Sequence, residues 1–188
     1  MGKKKQKRKD RIKKMLKVQC EGCGGCCIDT IVPVTDSDVK RLTKHTKMKA
    51  DQIVRLYDST DIAYESDWGA WIDFNYGKRL MGLKKRNGRC QFLDKNNRCT
   101  VYNARPATCR TFPLEFHMNE DGQIHDITLN KIIKKKYPFG ASQDLKEATK
   151  KANMEDNEDE RYYTRVDAWN NKTDRKGKTE YLKFMKLS

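Results

Sequence analysis

Eight residues, Cys20-Glu21-Gly22-Cys23-Gly24-Gly25-Cys26-Cys27, carry four thiols separated mainly by glycine. Thiolates are soft ligands suited to zinc, copper(I) and iron–sulfur clusters. A metal ion draws its sulfur ligands to about 2.3 Å, so the backbone that carries them must wrap tightly. Glycine permits such a wrap because it enters positive-φ conformations without a Cβ clash. Gly22, Gly24 and Gly25 stand where a loop of that kind needs them. Cys27 follows Cys26 directly, and neighbouring side chains on an extended backbone point to opposite sides. The pair therefore implies two metal centres, or one polynuclear cluster with a bridging or reserve thiol.

The spacing Cys20-x2-Cys23-x2-Cys26 matches the opening of a bacterial ferredoxin ligand run, but Thr30 occupies the place of that run's fourth cysteine. Three further cysteines, Cys90, Cys99 and Cys109, each adjoin an arginine. Guanidinium charge lowers a thiol pKa and offsets the negative charge of a multi-thiolate centre. Arg105 and Arg110 are the candidates for that supporting role. Singly, each of the three could be a small buried apolar residue, the usual state of an unoxidised cysteine. Seven in one chain, four of them in a glycine-rich loop, read as ligands. They divide into four, enough for a 4Fe–4S cluster or a structural zinc, and three, which need another ligand or leave an open position. His117 and His125 are the imidazoles nearest the second group, with His45 on a polar helix as a weaker candidate. Asp29 and Asp94 could orient ligands, although aspartate is common in turns for local reasons. No Ser-His-Asp arrangement, phosphate loop or HExxH motif accompanies them.

The elements that must position these thiols are short. Ile28 to Val34 reads as an extended segment, and Thr35 with Asp38 as the capped start of a helix carrying Val39 and Leu42 inward. A second helix is expected from Asp51 through Ile53, Val54, Leu56 and Tyr57. Strand-like runs follow at Trp71–Tyr76 and Arg79–Lys84, a hairpin at Asn87-Gly88, a looser turn over Asp94–Asn97, and a hairpin from Leu114 to Leu129 about Asp121-Gly122. Beyond Pro138 the chain reads helical, with Leu145, Ala148 and Ala152 on one face and Tyr162, Val166 and Trp169 on another. The acidic run Glu155–Glu160 between them reads as solvated charge, or as a partner for the basic start.

Both the apolar and the charged fractions are 36%, against roughly 45–50% and about 25% in ordinary globular domains. Part of the chain must therefore be solvated, and a bound metal would stabilise a modest core. Residues 1–17 hold ten Lys or Arg, with a second basic patch at 131–136, and the net charge is +15. That charge points to an acidic protein surface or nucleic acid as partner, through the basic arm. No apolar run has membrane-spanning length and the lysine-rich start lacks a signal-peptide core. The expectation is a cytoplasmic protein without a membrane association, and an odd number of cysteines argues against a disulfide framework.

The loop at 20–27, followed by Cys90-x-Phe92-Leu93, Cys99-x-Val101-Tyr102 and Arg105-Pro106-x-x-Cys109-Arg110-x-Phe112-Pro113, resembles the CxxCxxCC cysteine-cluster family, also called YkgJ-type zinc- or iron-chelating domain proteins. The resemblance covers about residues 18–116. It implies an α+β domain gathering Cys20, Cys23, Cys26, Cys27, Cys90, Cys99 and Cys109 around an iron–sulfur cluster, of 4Fe–4S type first, or alternatively zinc. The organisation expected is a basic arm over 1–17, a cysteine-cluster domain over 18–140 with short helices and β-hairpins, and a helical extension over 141–188. Three functions follow: a redox, cluster-assembly or accessory factor; a zinc-stabilised nucleic-acid- or ribosome-binding module; and an enzyme resembling the flagellin lysine N-methylase, an iron–sulfur, S-adenosylmethionine-dependent relative by motif. No small-molecule substrate is identified, and no nucleotide-binding glycine motif supports the third.

Overall fold

A computed structural model describes residues 2–20, 22–62, 69–130 and 137–188 of the chain. The basic patch expected at residues 131–136 lies outside the described residues. The fold is α+β, with short helices, small antiparallel sheets and one long helix near the C-terminus.

Helix α1 (Gly2–Met15) is polar and presents no buried residue. It is tethered where apolar residues end the arm, since Leu16 and Val18 are buried and Arg11 pairs with Asp126. Helix α2 (Gly25–Asp29) takes up the end of the cysteine loop. Ile28 thus belongs to a helical turn, and the extended segment starts only after it. Helix α3 (Asp36–Thr46) opens on the capping box read from the sequence: Asp38 N donates to Thr35 Oγ1 at 3.2 Å and Thr35 N to Asp38 Oδ2 at 3.1 Å. Val39 and Leu42 are fully buried along it.

The helix expected from Asp51 through Tyr57 is corrected. Only Ala50–Ile53 is helical (α4), and Val54–Asp58 forms strand β1. A β-branched and an aromatic residue suit a half-buried pleated surface, and Val54 and Tyr57 pair there with Leu83 and Leu80. Strands β2 (Ile72–Phe74) and β3 (Gly77–Leu83) complete an antiparallel sheet in the order β1-β3-β2. Beside β3 run residues 32–34, where Val34 N donates to Met81 O and Leu83 N to Val32 O. Gly82 permits this approach, because a Cβ there would stand 2.9 Å from Ile31 Cγ2 and 3.1 Å from Val32 O.

The Asn87-Gly88 hairpin forms as expected between β4 (Lys85–Arg86) and β5 (Arg89–Cys90), with both turn residues at positive φ. The chain then makes the short helix α5 (Ala107–Thr111) and the hairpin of β6 (Leu114–Met118) and β7 (Ile124–Leu129). Helix α6 (Leu145–Asn170) runs unbroken through the acidic segment, and α7 (Lys178–Phe184) folds back. Asn170 exchanges side-chain bonds with Asp73 N and Trp71 O, and Trp169 Nε1 donates to Asp73 O, docking α6 on β2.

Two apolar clusters result. The larger joins α3, the three-stranded sheet, α7 and the Tyr162, Val166 and Trp169 face of α6. The smaller joins Leu16, Val18, Leu114, Ile127 and Ala148. Leu145, expected inward with Ala148, is exposed. Among the described residues, no helix is long and apolar enough to cross a membrane.

Candidate metal centre

Each cysteine group is positioned by local chemistry. Gly24 has φ 74° and caps α2, which starts Cys26 and Cys27 on their helical turn. The same glycine sits against the 93–97 turn, since a Cβ there would meet Asn97 Cβ at 3.1 Å. That close approach seats the loop beside the segment carrying Cys90 and Cys99. Asp94 holds the turn by accepting from Asn96 N and Arg98 N, each at 2.8 Å, so its role is the local one. Leu93 and Cys99 are bridged across the turn, placing Cys99 beside the strand end that carries Cys90.

Cys109 rides on α5. The first amide of that helix, Ala107 N, donates to Asp38 Oδ1 at 2.9 Å. Asp38 therefore serves the α3 capping box, pairs with Arg41 and fixes the element that carries Cys109. Burial pushes its carboxyl up, while the Thr35 and Ala107 amides and the Arg41 guanidinium pull it down. This bridging role has no local signal, because the sequence shows only the cap.

All seven cysteines line one cavity of about 730 Å³. None forms a disulfide. Cys20 and Cys23 are exposed at its mouth, Cys26, Cys27, Cys99 and Cys109 are half-buried, and Cys90 is buried. The adjacent pair is close, with Cys26 Sγ 3.9 Å from Cys27 Sγ. Among the described residues, no three histidine, cysteine, aspartate or glutamate side chains are gathered tightly enough to hold a single ion as placed. The thiols share a chamber and have not converged on one point.

Four of the thiols are pushed toward their protonated form: Cys26, Cys90, Cys99 and Cys109. The Cys27 thiol and then burial push Cys26 far up. Burial leads the upward shift of Cys90, Cys99 and Cys109, and Cys109 is also raised by neighbouring Cys26 and Cys90. The Arg105 guanidinium pulls the Cys99 thiol down, but burial outweighs it. Clustered thiols of this kind become thiolates only when a cation compensates their charge. Donor type, number and charge therefore fit a bound zinc or iron centre, for which the seven cysteines are the candidate ligands.

Arg105 lines the cavity, lies 3.7 Å from the Tyr102 ring centroid and donates to the carbonyls of Tyr102 and Cys109. Arg110 is not among the lining residues. Its guanidinium donates to the Arg105 and Asn103 carbonyls, bracing the segment between Cys99 and Cys109. None of the three histidines lines the cavity. His117 meets Thr128 Oγ1 at 2.9 Å and His125 meets the His117 carbonyl at 3.0 Å, both on the β6–β7 hairpin. The Asp29 side chain lies outside those described.

Two lining residues come from the acidic run. Glu155 and Asp159 face the cavity from α6, whereas Glu158 pairs with Arg41 and Asp156 and Glu160 are exposed. Burial raises both to about 7, with the Thr111 and Thr108 hydroxyls offsetting Glu155 and the Tyr163 hydroxyl offsetting Asp159 only in part. A usable signal was present: Ala148, Ala152, Glu155, Asp159, Tyr162, Val166 and Trp169 alternate spacings of four and three, one continuous helix face. Carboxylates in the middle of such a face are not solvated charge.

No solved structure matches the chain closely enough to count as a relative. A family model described as "Putative zinc- or iron-chelating domain" matches residues 19–137, which include all seven cysteines and every element that carries one. With more than half of its length so matched, the chain belongs to the CxxCxxCC family.

Proposed function

We propose that the cavity holds an iron–sulfur cluster, of 4Fe–4S type, and that the protein serves as a redox, cluster-assembly or accessory factor passing electrons or metal to a partner. The observation that supports this reading is the seven cysteines around one chamber of about 730 Å³. A structural zinc takes four ligands in a closed tetrahedron, which would leave three of these thiols without an ion. A cluster supplies one-electron chemistry at a potential set by its ligands and surroundings. The chain's part is to present thiols, brace the Cys109 segment through Arg105 and Arg110, and leave Cys20 and Cys23 exposed toward a partner.

Anaerobic purification, metal analysis and an absorption spectrum test the reading. Iron with acid-labile sulfide and a broad band near ~400 nm are expected. Colourless protein with stoichiometric zinc would replace the cluster by a zinc centre. Cys26→Ser and Cys27→Ser should lose unequal amounts of metal if the adjacent pair serves different metal atoms. A second reading concerns the partner and rests on α1, whose side chains are almost all exposed and mostly Lys or Arg. It offers a surface to nucleic acid or an acidic protein. Binding of a short RNA duplex should then weaken by orders of magnitude between about 50 and 200 mM salt, and a flat salt response would remove nucleic acid as the partner.

A further inference from the structure

Beside the C-terminal end of α1 stands an aromatic ring that the fold leaves uncovered. Residues 16–19 and 138–143 run side by side: Gln19 N donates to Pro138 O at 3.0 Å, Gly140 N to Lys17 O at 2.8 Å and Gln143 N to Leu16 O at 2.8 Å. Val18 bridges Phe139 across this pairing. Leu16 and Val18 are buried in the smaller apolar cluster and anchor the pairing there. Phe139 joins neither cluster and is 55% exposed, with Lys14 Nζ 5.6 Å from its ring centroid. Tyr76 and Tyr102, also exposed, keep a hydroxyl for water. Phe139 has none, so its bare face gains by being covered with another flat apolar surface. Helix α1 next to it holds nine Lys or Arg, all exposed, and one acid, Asp10. Among the described residues only Arg11 of these cations forms an ion pair, with Asp126, and that pair pins the helix to β7. Ring and basic helix are therefore held in a fixed relation to each other.

Resting on the second reading above, in which α1 offers its charge to a polyanion, we propose that α1 and Phe139 together bind single-stranded nucleic acid, the cations of α1 tracking its phosphates and the Phe139 ring stacking on one of its bases. A positive surface combined with an aromatic ring open to base stacking is the arrangement that takes single strands without reading their sequence. Chemistry decides among the polyanions. An acidic protein surface would use the cations and leave the ring bare. A duplex offers phosphates, but its bases already stack on one another. A single strand presents phosphates and free base faces in alternation, and so engages both parts of the site. Lys14 sets a cation at the edge between them, beside the stacked base.

The test measures binding of the full chain, purified anaerobically with its metal, to labelled uridine and deoxythymidine strands of about 12 nucleotides and to a duplex of the same length. Both strands are expected to bind more tightly than the duplex, and whichever of the two binds better names the preferred sugar. Phe139→Ala and Phe139→Leu should weaken the strands ~5–150-fold with the salt dependence unchanged, while Phe139→Tyr keeps the affinity of the wild type. Lys3→Ala/Lys7→Ala should instead flatten the salt dependence for strand and duplex alike. Strand binding that survives loss of the ring, or a duplex bound as tightly as the strands, would overturn the stacking site and leave α1 as a general phosphate binder. Polyglutamate that displaces the strand at equal charge, with the Phe139 variants unaffected, would give the surface to an acidic protein instead. Binding of neither strand nor duplex would overturn the nucleic-acid reading as a whole, an outcome distinct from the other two. A strand carrying 5-iodouridine, irradiated on the wild type, needs no variant: a crosslink at Phe139 is expected, and crosslinks confined to other residues would refute stacking there.

Discussion

Glu155 and Asp159 are ordinary acids in an unusual place, and their protonation makes the metal-free protein sensitive to pH. Both are raised from ordinary carboxyl values to about 7, first by burial and then by nearby carboxylates: Asp156 and Asp38 for Glu155, and Glu155 ahead of Asp38 and Asp156 for Asp159. The folded state therefore binds protons more tightly than the unfolded chain. The stability that this contributes is full below the unfolded pKa values, near about 4, and is lost as pH rises through about 7. Chemical denaturation of the metal-free protein should show stability falling across that window, with Glu155→Gln flattening the fall. A profile that the substitution leaves unchanged would show that Glu155 remains hydrated. The sequence hid this pair because a run of acids between two apolar faces looks like a solvated break. Only the four-three spacing through the run, unbroken from Ala148 to Trp169, distinguishes the inward acids from Asp156 and Glu160.

At the scale of elements, α6 is the part on which the others register. Its Trp169 is 1% exposed, packs edge-on to Tyr181 and donates to Asp73 O. Trp169→Ala should cost about 3–5 kcal/mol by leaving a cavity between α6, α7 and β2, read as a lowered denaturation midpoint; a loss under about 1 kcal/mol would mean the site collapses around the smaller residue. Much of the neighbouring architecture was legible for local reasons. Thr35 and Asp38 satisfy each other's backbone within four residues, and Asn87-Gly88 needs only its own two positive-φ positions. By contrast, Val54–Asp58 has apolar spacing compatible with either period, and its strand exists because β3 lies alongside. The second duty of Asp38, holding Ala107 N, joins residues 69 positions apart and leaves no trace in either neighbourhood. The cysteine chemistry was legible in kind, since thiol spacing and glycine announce soft-metal ligation. How far the thiols stand apart, and that both histidines of the β6–β7 hairpin face elsewhere, depends on packing that spacing does not encode.

For the molecule as a whole, the chamber lies between two apolar clusters, with Tyr137 of the smaller cluster and Phe92 and Val101 of the larger among its walls. A metal centre there would tie the two clusters together through the elements that carry the thiols. Ligand binding to the folded state alone adds to its stability. Stripping the protein with a chelator should therefore lower its Tm and make the amides of α2 and α5 exchange faster in hydrogen-exchange measurements, while those of β3 change little. Equal protection before and after stripping would show that the elements around the chamber hold their places without metal. The position of α6 has one more consequence. Translation delivers the first thiol at residue 20 and the last at 109, whereas the helix that walls their chamber ends at Asn170. A chain leaving the ribosome at roughly 5–20 residues per second keeps its sulfurs open to oxidants and stray copper for several seconds before that wall arrives. Metal bound before that wall arrives would therefore meet an open site, and metal bound after it a walled one.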